Sequence, residues 1–219
     1  MLGGKDPYSA SKGAAEIAIR SFYYSFFLES DKVQMVTVRA GNVIGGGDWA
    51  NSRIVPDCFR AWSKKESVEI RSPKATRPWQ HVLEPLSGYL RVGQLMNDNA
   101  KLTGEAYNFG PDASQNKTVL ELLEALTEHW TFDEGFQKLI IHEQKHFHEA
   151  GLLKLNCDKA LHELQWLPTL GFEDVAEFTA SWYRTFYQNK EQDIFDYTLG
   201  QIRSYGEHAA NKSIAWTMA

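Results

Sequence analysis

The sequence predicts an α/β fold in which helices alternate with short apolar strands. A helix-forming stretch begins at Pro7, and the apolar, β-branched run at residues 33–38 that follows it is typical of a strand in a parallel sheet. Further along, Thr118 and Glu121 form a capping-box pattern ahead of a helical repeat of apolar residues. A helix followed by a buried strand is part of a β-α-β unit, so we expect a parallel sheet.

The composition is that of a globular protein. Its 219 residues, 43% of them hydrophobic, are enough for one large domain or for a domain with a small lobe. The net charge of -5 and the lack of a dense basic run argue against nucleic acid or a membrane surface as a partner. With two cysteines, no apolar segment behind the first methionine and no run near the roughly 18 apolar residues of a membrane span, we expect a cytoplasmic protein.

The first predicted helix covers residues 7–28 and carries Tyr8 and Lys12 in its first turns. Residues at i and i+4 share a helix face, so the ammonium can favour the ionised form of the phenol. An unperturbed phenol has a pKa of about 10, which must be lowered before the phenol can act as a base near neutral pH. A neighbouring ammonium group is one way to lower it. The alternative is an ordinary pair on an exposed turn, which on spacing alone is the commoner case.

The second half of this helix is aromatic on nearly every side, so we expect it to be buried on more than one side. The residues concerned are Phe22, Tyr23, Tyr24, Phe26 and Phe27. Core packing, contact with a partner and an exposed patch all stay open from the pattern alone.

After the first strand, glycines at residues 45–47 allow main-chain groups to approach a ligand, but the Gly-Lys-Ser/Thr of a P-loop is absent. A helix is predicted from Pro56, because proline suits the first helical position, and a strand at 68–71. The next helix begins at residue 84 or 85 and ends at 97. Its residues expected to face inward are Leu86, Tyr89, Leu90, Gly93 and Met96.

The remainder of the chain continues the alternation. A short strand is predicted at Ala106, another at residues 138–143, a short helix at 156–164, an amphipathic helix at 172–187 and a last helix at 196–205.

Three histidines, His142, His146 and His148, lie close together in the sequence. A zinc site needs three or four converging ligands, and no fourth partner with recognisable spacing is present. We therefore predict no metal site.

Four motifs together resemble the extended short-chain dehydrogenase/reductase family of nucleotide-sugar enzymes. They are YSASK at residues 8–12, RAGN at 39–42, GGGDW at 45–49 and RPWQHVLEP at 77–85. Later stretches, AYNFGP, HEAGLLKL and LQWLP, agree with the resemblance, which runs over about residues 6–205.

The resemblance implies the C-terminal part of such an enzyme: a remnant of a parallel doubly wound sheet plus a smaller α/β substrate-binding lobe. Residues 1–50 would be the C-terminal part of the NAD-binding Rossmann domain, and residues 51–219 mainly the nucleotide-sugar-binding lobe. The family's glycine-rich turn for the cofactor pyrophosphate is not found in this sequence. We therefore expect these residues alone to be inactive and do not expect them to bind NAD unaided.

The activity implied by the resemblance is the NAD-mediated dehydration of a CDP-sugar. Tyr8 and Lys12 would be catalytic: the phenolate takes the proton of the sugar 4-hydroxyl as hydride leaves C4, water is lost across C5 and C6, and hydride returns to C6. Tyr8, Lys12 and Ala40 would contact the cofactor. The residues implied to bind substrate are Asn42, Arg53, Arg71 and Arg77.

Each substrate-binding assignment has a structural alternative. Arginine suits phosphate because its planar fork can pair two oxygens at once, and the alternative for Arg53 and Arg77 is a surface salt bridge. Asn42 can be a turn residue whose side chain bonds locally. Asp48 and Trp49 are expected to shape the glycine loop.

Two further functional readings stay open. The chain can belong to another epimerase or dehydratase of the same family, or it can be a non-catalytic subunit that binds nucleotide sugars. The resemblance also implies a homodimer for the complete enzyme, formed through the aromatic first helix and the helix before it.

Overall fold

The structure is a computed structural model that describes residues 6–30, 32–98, 100–112, 115–141 and 155–218. The three histidines considered as metal ligands lie outside these residues. Within the described part of the chain, no helix has both the length and the apolar character needed to cross a bilayer.

Helices and strands alternate along the described residues. The helices are α1 (Pro7–Phe22), α2 (Ile54–Ser63), α3 (Leu83–Asp98), α4 (Val119–Glu128), α5 (Asp158–Leu164), α6 (Phe172–Gln188) and α7 (Ile194–Asn211). The strands are β1 (Thr37–Ala40), β2 (Asn42–Ile44), β3 (Val68–Ile70), β4 (Thr76–Arg77), β5 (Trp79–His81), β6 (Ala106–Phe109), β7 (Lys117–Thr118) and β8 (Leu139–Ile141).

The strands associate in pairs, and most of these pairs are parallel. Strands β1 and β6, β2 and β5, and β3 and β8 run parallel, whereas β4 and β7 are antiparallel. Parallel neighbours require crossover connections, which the intervening helices supply. The predicted α/β class is confirmed.

The first strand is displaced from its predicted position. It was expected at residues 33–38 but begins at Thr37, and its four residues are half-buried rather than fully covered. The sequence also gave no sign of β2, which begins two residues after β1 ends and precedes the glycines. Both errors arise because a run this short has little periodicity to read.

Helix α1 begins as its sequence predicts. Asp6 is the N-cap, its Oδ1 accepts the backbone N–H of Ser9 at 2.9 Å, and Pro7 takes the first helical position. The helix continues into a π-helical turn at Tyr23–Phe27.

The expected burial of this helix on more than one side is wrong for the described residues. Gly13 is the buried residue of α1, while Phe22, Tyr24 and Phe26 are exposed, Phe26 to 68%. Tyr23 and Phe27 are half-buried, with the Tyr23 hydroxyl 3.4 Å from the Thr103 carbonyl, but nothing in the described structure covers the other three rings. An exposed aromatic patch, one of the three open outcomes, is what the structure contains.

Two hydrophobic cores hold the described residues together. The large core is built mainly from α2, α4 and α6 with β3, and includes Phe59, Trp62 and Tyr183. The small core lies between β1, β6, α3 and α5, and includes Tyr107, Phe109 and Trp166. The division of the chain at residue 50 stays a prediction.

The predicted inward face of α3 is right in part. Tyr89 and Met96 pack against the small core as expected, whereas Leu86, Leu90 and Gly93 are exposed, so the inward position predicted for these three is wrong. The buried face instead carries Glu84, and Gly88 packs so closely on Phe109 that a Cβ there would lie 2.3 Å from its ring. Apolar spacing alone did not predict the buried face, because the buried carboxylate of Glu84 determines which side of α3 faces inward.

Glu84 links α3 to the last helix. It is 1% exposed, and its oxygens accept the backbone N–H groups of Thr169 and Leu170 and the hydroxyl of Tyr205 on α7. Lys212 lies nearby and donates to the carbonyl of Thr169. Burial raises the pKa of Glu84 to about 7, against the hydrogen bonds that favour its ionised form.

The remaining helices agree with the sequence in kind and differ at their ends. The capping box at Thr118 and Glu121 is present, with Thr118 Oγ1 accepting the Glu121 N–H at 3.1 Å. Helix α2 begins at Ile54, two residues before the predicted proline start, and α7 extends beyond 196–205 at both ends.

Candidate active site

Tyr8 and Lys12 lie together at the start of α1. The Lys12 Nζ is 5.6 Å from the centre of the Tyr8 ring, and the Tyr8 side chain is 71% exposed. The i,i+4 spacing that the sequence suggested therefore places the two groups side by side on the helix surface. The phenol is open to an incoming ligand.

A pair of short hydrogen bonds fixes α1 against the end of β1. Arg39 donates from Nε and Nη2 to the two oxygens of Glu16, both at 2.6 Å, and from Nη1 to Asn108 on β6 at 3.3 Å. The ion pair lowers the pKa of Glu16 and raises that of Arg39. Glu16 follows Lys12 by one helical turn, so it lies on the same side of α1 as the Tyr8 and Lys12 pair. Its bidentate contact with Arg39 therefore fixes the orientation of that side relative to β1.

Ala40 lies at the end of one parallel strand pair, and Asn42 lies at the beginning of the next. Ala40 is the last residue of β1 and pairs with Phe109, the last residue of β6. Asn42 begins β2 and pairs with Trp79. Ligands of open parallel sheets bind outside the carboxyl ends of the strands, and Ala40 is at such an end.

The glycine loop is packed against α6. A Cβ on Gly46 would lie 2.1 Å from the ring of Trp182, and Gly47 has a φ of +78°, which favours glycine. These glycines therefore allow a close approach of Trp182 to the loop.

The two residues after the glycines hold the loop in place. Asp48 accepts the Tyr183 hydroxyl on its backbone oxygen at 2.7 Å and the N–H of Ala50 on Oδ1 at 3.0 Å. Trp49 packs edge-on against Tyr183, at 5.7 Å between ring centres, and against Phe186 at 4.9 Å. Both contacts give Asp48 and Trp49 the loop-shaping position expected for them.

The three arginines lie on separate elements around the large core. Arg53 is the N-cap residue of α2, and its Nη1 is 3.2 Å from Asp48 Oδ2 with the side chain 64% exposed. Arg71 follows β3 and is exposed. Arg77 is in β4, is half-buried and donates to the carbonyl of Thr76 at 2.8 Å.

Two features near this region were not anticipated from the sequence. The Glu16 and Arg39 pair was missed, although Glu16 lies four residues after Lys12 and Arg39 is in the RAGN motif. His81, at the end of β5, is 3% exposed, and its burial lowers its pKa to about 4, so it stays neutral near neutral pH. Its Nε2 faces Gly45, where a Cβ would lie 3.3 Å away.

No family model matches this chain. Its sequence is 39% identical over 212 residues to CDP-glucose 4,6-dehydratase of Salmonella typhimurium, which covers 92% of this chain and 58% of that protein. The resemblance predicted from the motifs is thus confirmed. The chain spans less than two thirds of the length of this relative.

Two solved structures with the same fold are enzymes whose names include a nucleotide sugar. The dTDP-glucose 4,6-dehydratase of Bacillus anthracis, in complex with NAD, superposes with a TM-score of 0.62 at 19% identity, covering 87% of this chain and 55% of the other. The UDP-glucuronic acid 4-epimerase of Bacillus cereus, in complex with UDP-glucuronic acid and NAD, gives a TM-score of 0.65 at 16% identity, covering 83% and 54%. The chain has the fold of a part of these enzymes.

Proposed function

We propose that this chain is part of a CDP-glucose 4,6-dehydratase of the extended short-chain dehydrogenase/reductase family, a cytoplasmic hydro-lyase. The observation that carries the proposal is the 39% identity to such an enzyme over 92% of the chain. The complete enzyme would convert CDP-glucose to CDP-4-keto-6-deoxyglucose, a precursor of the deoxysugars of cell-surface polysaccharide such as O-antigen. Because the chain spans 58% of that relative, this reaction is proposed for the complete enzyme.

Tyr8 is the proposed base and Lys12 its activating neighbour. NAD, when bound, supplies the acceptor and later the donor of hydride. The residues present fit one side of a nicotinamide site, since an exposed phenol and an ammonium group share the start of α1, and small Ala40 ends β1. Tyr8 would take the proton of the sugar 4-hydroxyl, with the Lys12 ammonium beside its ring.

Substrate binding is proposed for Asn42, Arg53, Arg71 and Arg77. Arg53 is the best placed of these to exchange partners, because its contact with Asp48 is largely exposed. An exposed ion pair contributes only about 0 to 1 kcal/mol, so a diphosphate, which offers more charge and more acceptor oxygens, can displace it. Asn42 would donate its amide to the same diphosphate.

The test is a calorimetric titration of the chain with CDP-glucose and, in parallel, with the glucose conjugates of dTDP, UDP and GDP. We expect CDP-glucose to bind most tightly and Arg77→Ala to weaken it about tenfold, as loss of one charge-assisted contact would. Arg184→Ala, an exposed arginine on α6, is the matched control and should bind like the wild type. Preference for another nucleotide would contradict the assignment.

A second candidate is another epimerase or dehydratase of the same family. It is favoured by the UDP-glucuronic acid 4-epimerase, whose fold matches this chain with a TM-score of 0.65. A third is a non-catalytic subunit that binds nucleotide sugars. Binding of CDP-glucose by a complex of this chain with a separately encoded Rossmann half, without formation of a 4-keto product, would favour the third candidate over the first.

A further inference from the structure

An aromatic pocket lies at the far end of the large core. Its volume is about 290 Å³, near the lower limit for pockets that hold a small ligand. The residues that line it are Trp62, Ser63, Lys65, Trp130, Thr131, Phe132, Asp133, Phe136, Tyr187 and Gln188. They come from the end of α2, the segment after α4 and the end of α6.

The aromatic pocket is separate from the candidate active site. Arg53 lies immediately before the first turn of α2, whereas Trp62, Ser63 and Lys65 lie at its last turn and just beyond. A helix rises 1.5 Å per residue, so the two ends of this ten-residue helix are about 15 Å apart. A ligand in the pocket would not contact Arg53.

The rings of the pocket are held in place by contacts of their own. Trp62 is buried and donates its indole N–H to the carbonyl of Lys138 at 3.1 Å. Phe132 stacks on Phe136 at 5.5 Å between ring centres and meets Trp62 edge-on at 5.5 Å. A pocket with fixed walls binds a ligand without first having to order them.

The rim of the pocket is polar and electrically balanced. Lys65 Nζ lies 2.7 Å from Asp133 Oδ2, and Gln188 donates its amide to the carbonyl of Thr131 at 2.9 Å. Lys65 has a φ of 61°, a left-handed turn at the end of α2 that is uncommon for lysine. The ion pair cancels the charge at the mouth, and both groups remain mostly exposed.

We propose that the aromatic pocket binds a neutral pyranose sugar ring. A pyranose has apolar C–H faces that can pack on the half-buried rings of Phe136 and Tyr187, and hydroxyls that both donate and accept hydrogen bonds. The rim offers the complementary groups, a carboxylate on Asp133 and an amide on Gln188. The Lys65 and Asp133 charges balance each other at the mouth, so the pocket offers a neutral ligand no net charge to oppose. This proposal does not rest on the proposed function.

Ligand-observed NMR of the chain with methyl α-D-glucopyranoside tests it. We expect saturable binding with a Kd on the order of 1 mM, as for a small ligand with few anchoring atoms. Asp133→Ala should weaken binding about tenfold, the loss of one hydrogen-bonded anchor. The matched control, Glu134→Ala, removes the exposed carboxylate beside it that does not line the pocket, and should bind like the wild type.

Three results would overturn the proposal. The first is that the sugar shows no saturable binding. The second is that Asp133→Ala and Glu134→Ala weaken binding equally. The third is that cytidine binds more tightly than the sugar and that Asp133→Ala weakens its binding to the same extent. The last result would assign the pocket to planar heterocycles. Arg77→Ala should leave sugar binding unchanged, which separates this site from the proposed nucleotide-sugar site.

Discussion

The side of the molecule that carries the large core differs sharply from the side that carries α1. In the large core, Phe59 is fully buried and stacks on Tyr183 at 4.4 Å between ring centres. In α1, Gly13 is the buried residue, and the helix is fixed mainly by the Glu16 and Arg39 pair. The proposed nucleotide-sugar side is therefore organised by the described residues themselves, whereas the proposed cofactor side presents apolar surface that they do not cover.

The largest expected difference is in the free energy of unfolding after a phenylalanine is replaced by alanine in each region. Phe59→Ala removes a buried ring and leaves a cavity, so it should lower the free energy of unfolding by about 3 to 5 kcal/mol. Phe26→Ala, at a ring that is 68% exposed, should change it by less than about 0.5 kcal/mol. Urea unfolding measures both, and a large loss with Phe26→Ala would show that α1 is covered after all.

The titration of Glu84 tests the contact between α3, which packs on the small core, and Leu170 and Tyr205 of the large core. Its pKa is about 7 in the folded protein and 4.5 ordinarily, so the folded state binds the proton more tightly. The free energy of unfolding should therefore fall as pH rises from 4.5 to 7, by about 3 kcal/mol at most.

Glu84→Gln should remove this pH dependence, because an amide does not titrate. The measurement is urea unfolding of both proteins at about pH 5 and about pH 8. Stability that rises with pH through this range in the wild type and not in Glu84→Gln would reverse the sign and contradict the burial argument.

A smaller effect concerns the glycine loop. Gly46→Ala would drive a Cβ into the ring of Trp182, so we expect a loss of about 1 to 3 kcal/mol in the free energy of unfolding. Gly93→Ala, on the exposed side of α3 with nothing within 4 Å of the new Cβ, should stabilise the protein by up to about 1 kcal/mol. Equal effects from the two substitutions, measured by thermal unfolding, would mean that Trp182 does not lie against the loop.

The smallest effect on stability is expected at the α1 contact. Arg39→Ala removes a half-exposed ion pair and should cost about 1 kcal/mol or less. Its local effect should be larger, since α1 has few other anchors: amide hydrogen exchange in α1 should speed up while that in α6 stays unchanged. Arg184→Ala is the matched control. Unchanged exchange in α1 would show that Arg39 does not hold the helix.

The sequence predicted those parts of the fold that depend on neighbouring residues. The start of α1 at Pro7, the Tyr8 and Lys12 pair and the capping box at Thr118 and Glu121 all depend on residues within four positions of one another. Motif resemblance supplied the fold and the related enzyme, which no local pattern could have given.

What escaped prediction depends on residues distant in sequence. The buried phase of α3 is set by Glu84 bonding to Thr169 and Leu170, some 85 positions away. The aromatic pocket is assembled from three separate segments, so no single stretch reveals it. The sequence-based roles of Asn42, Arg53, Arg71 and Arg77 stay predictions.

Hydrogen exchange with and without CDP-glucose tests the central claim, that the large-core side forms a nucleotide-sugar site by itself. We predict that CDP-glucose slows exchange in residues 42–53 and 71–80 and leaves α1 unchanged, since a bound diphosphate would order the glycine loop and the arginines. Protection confined to α1, or no protection anywhere at saturating CDP-glucose, would contradict the account.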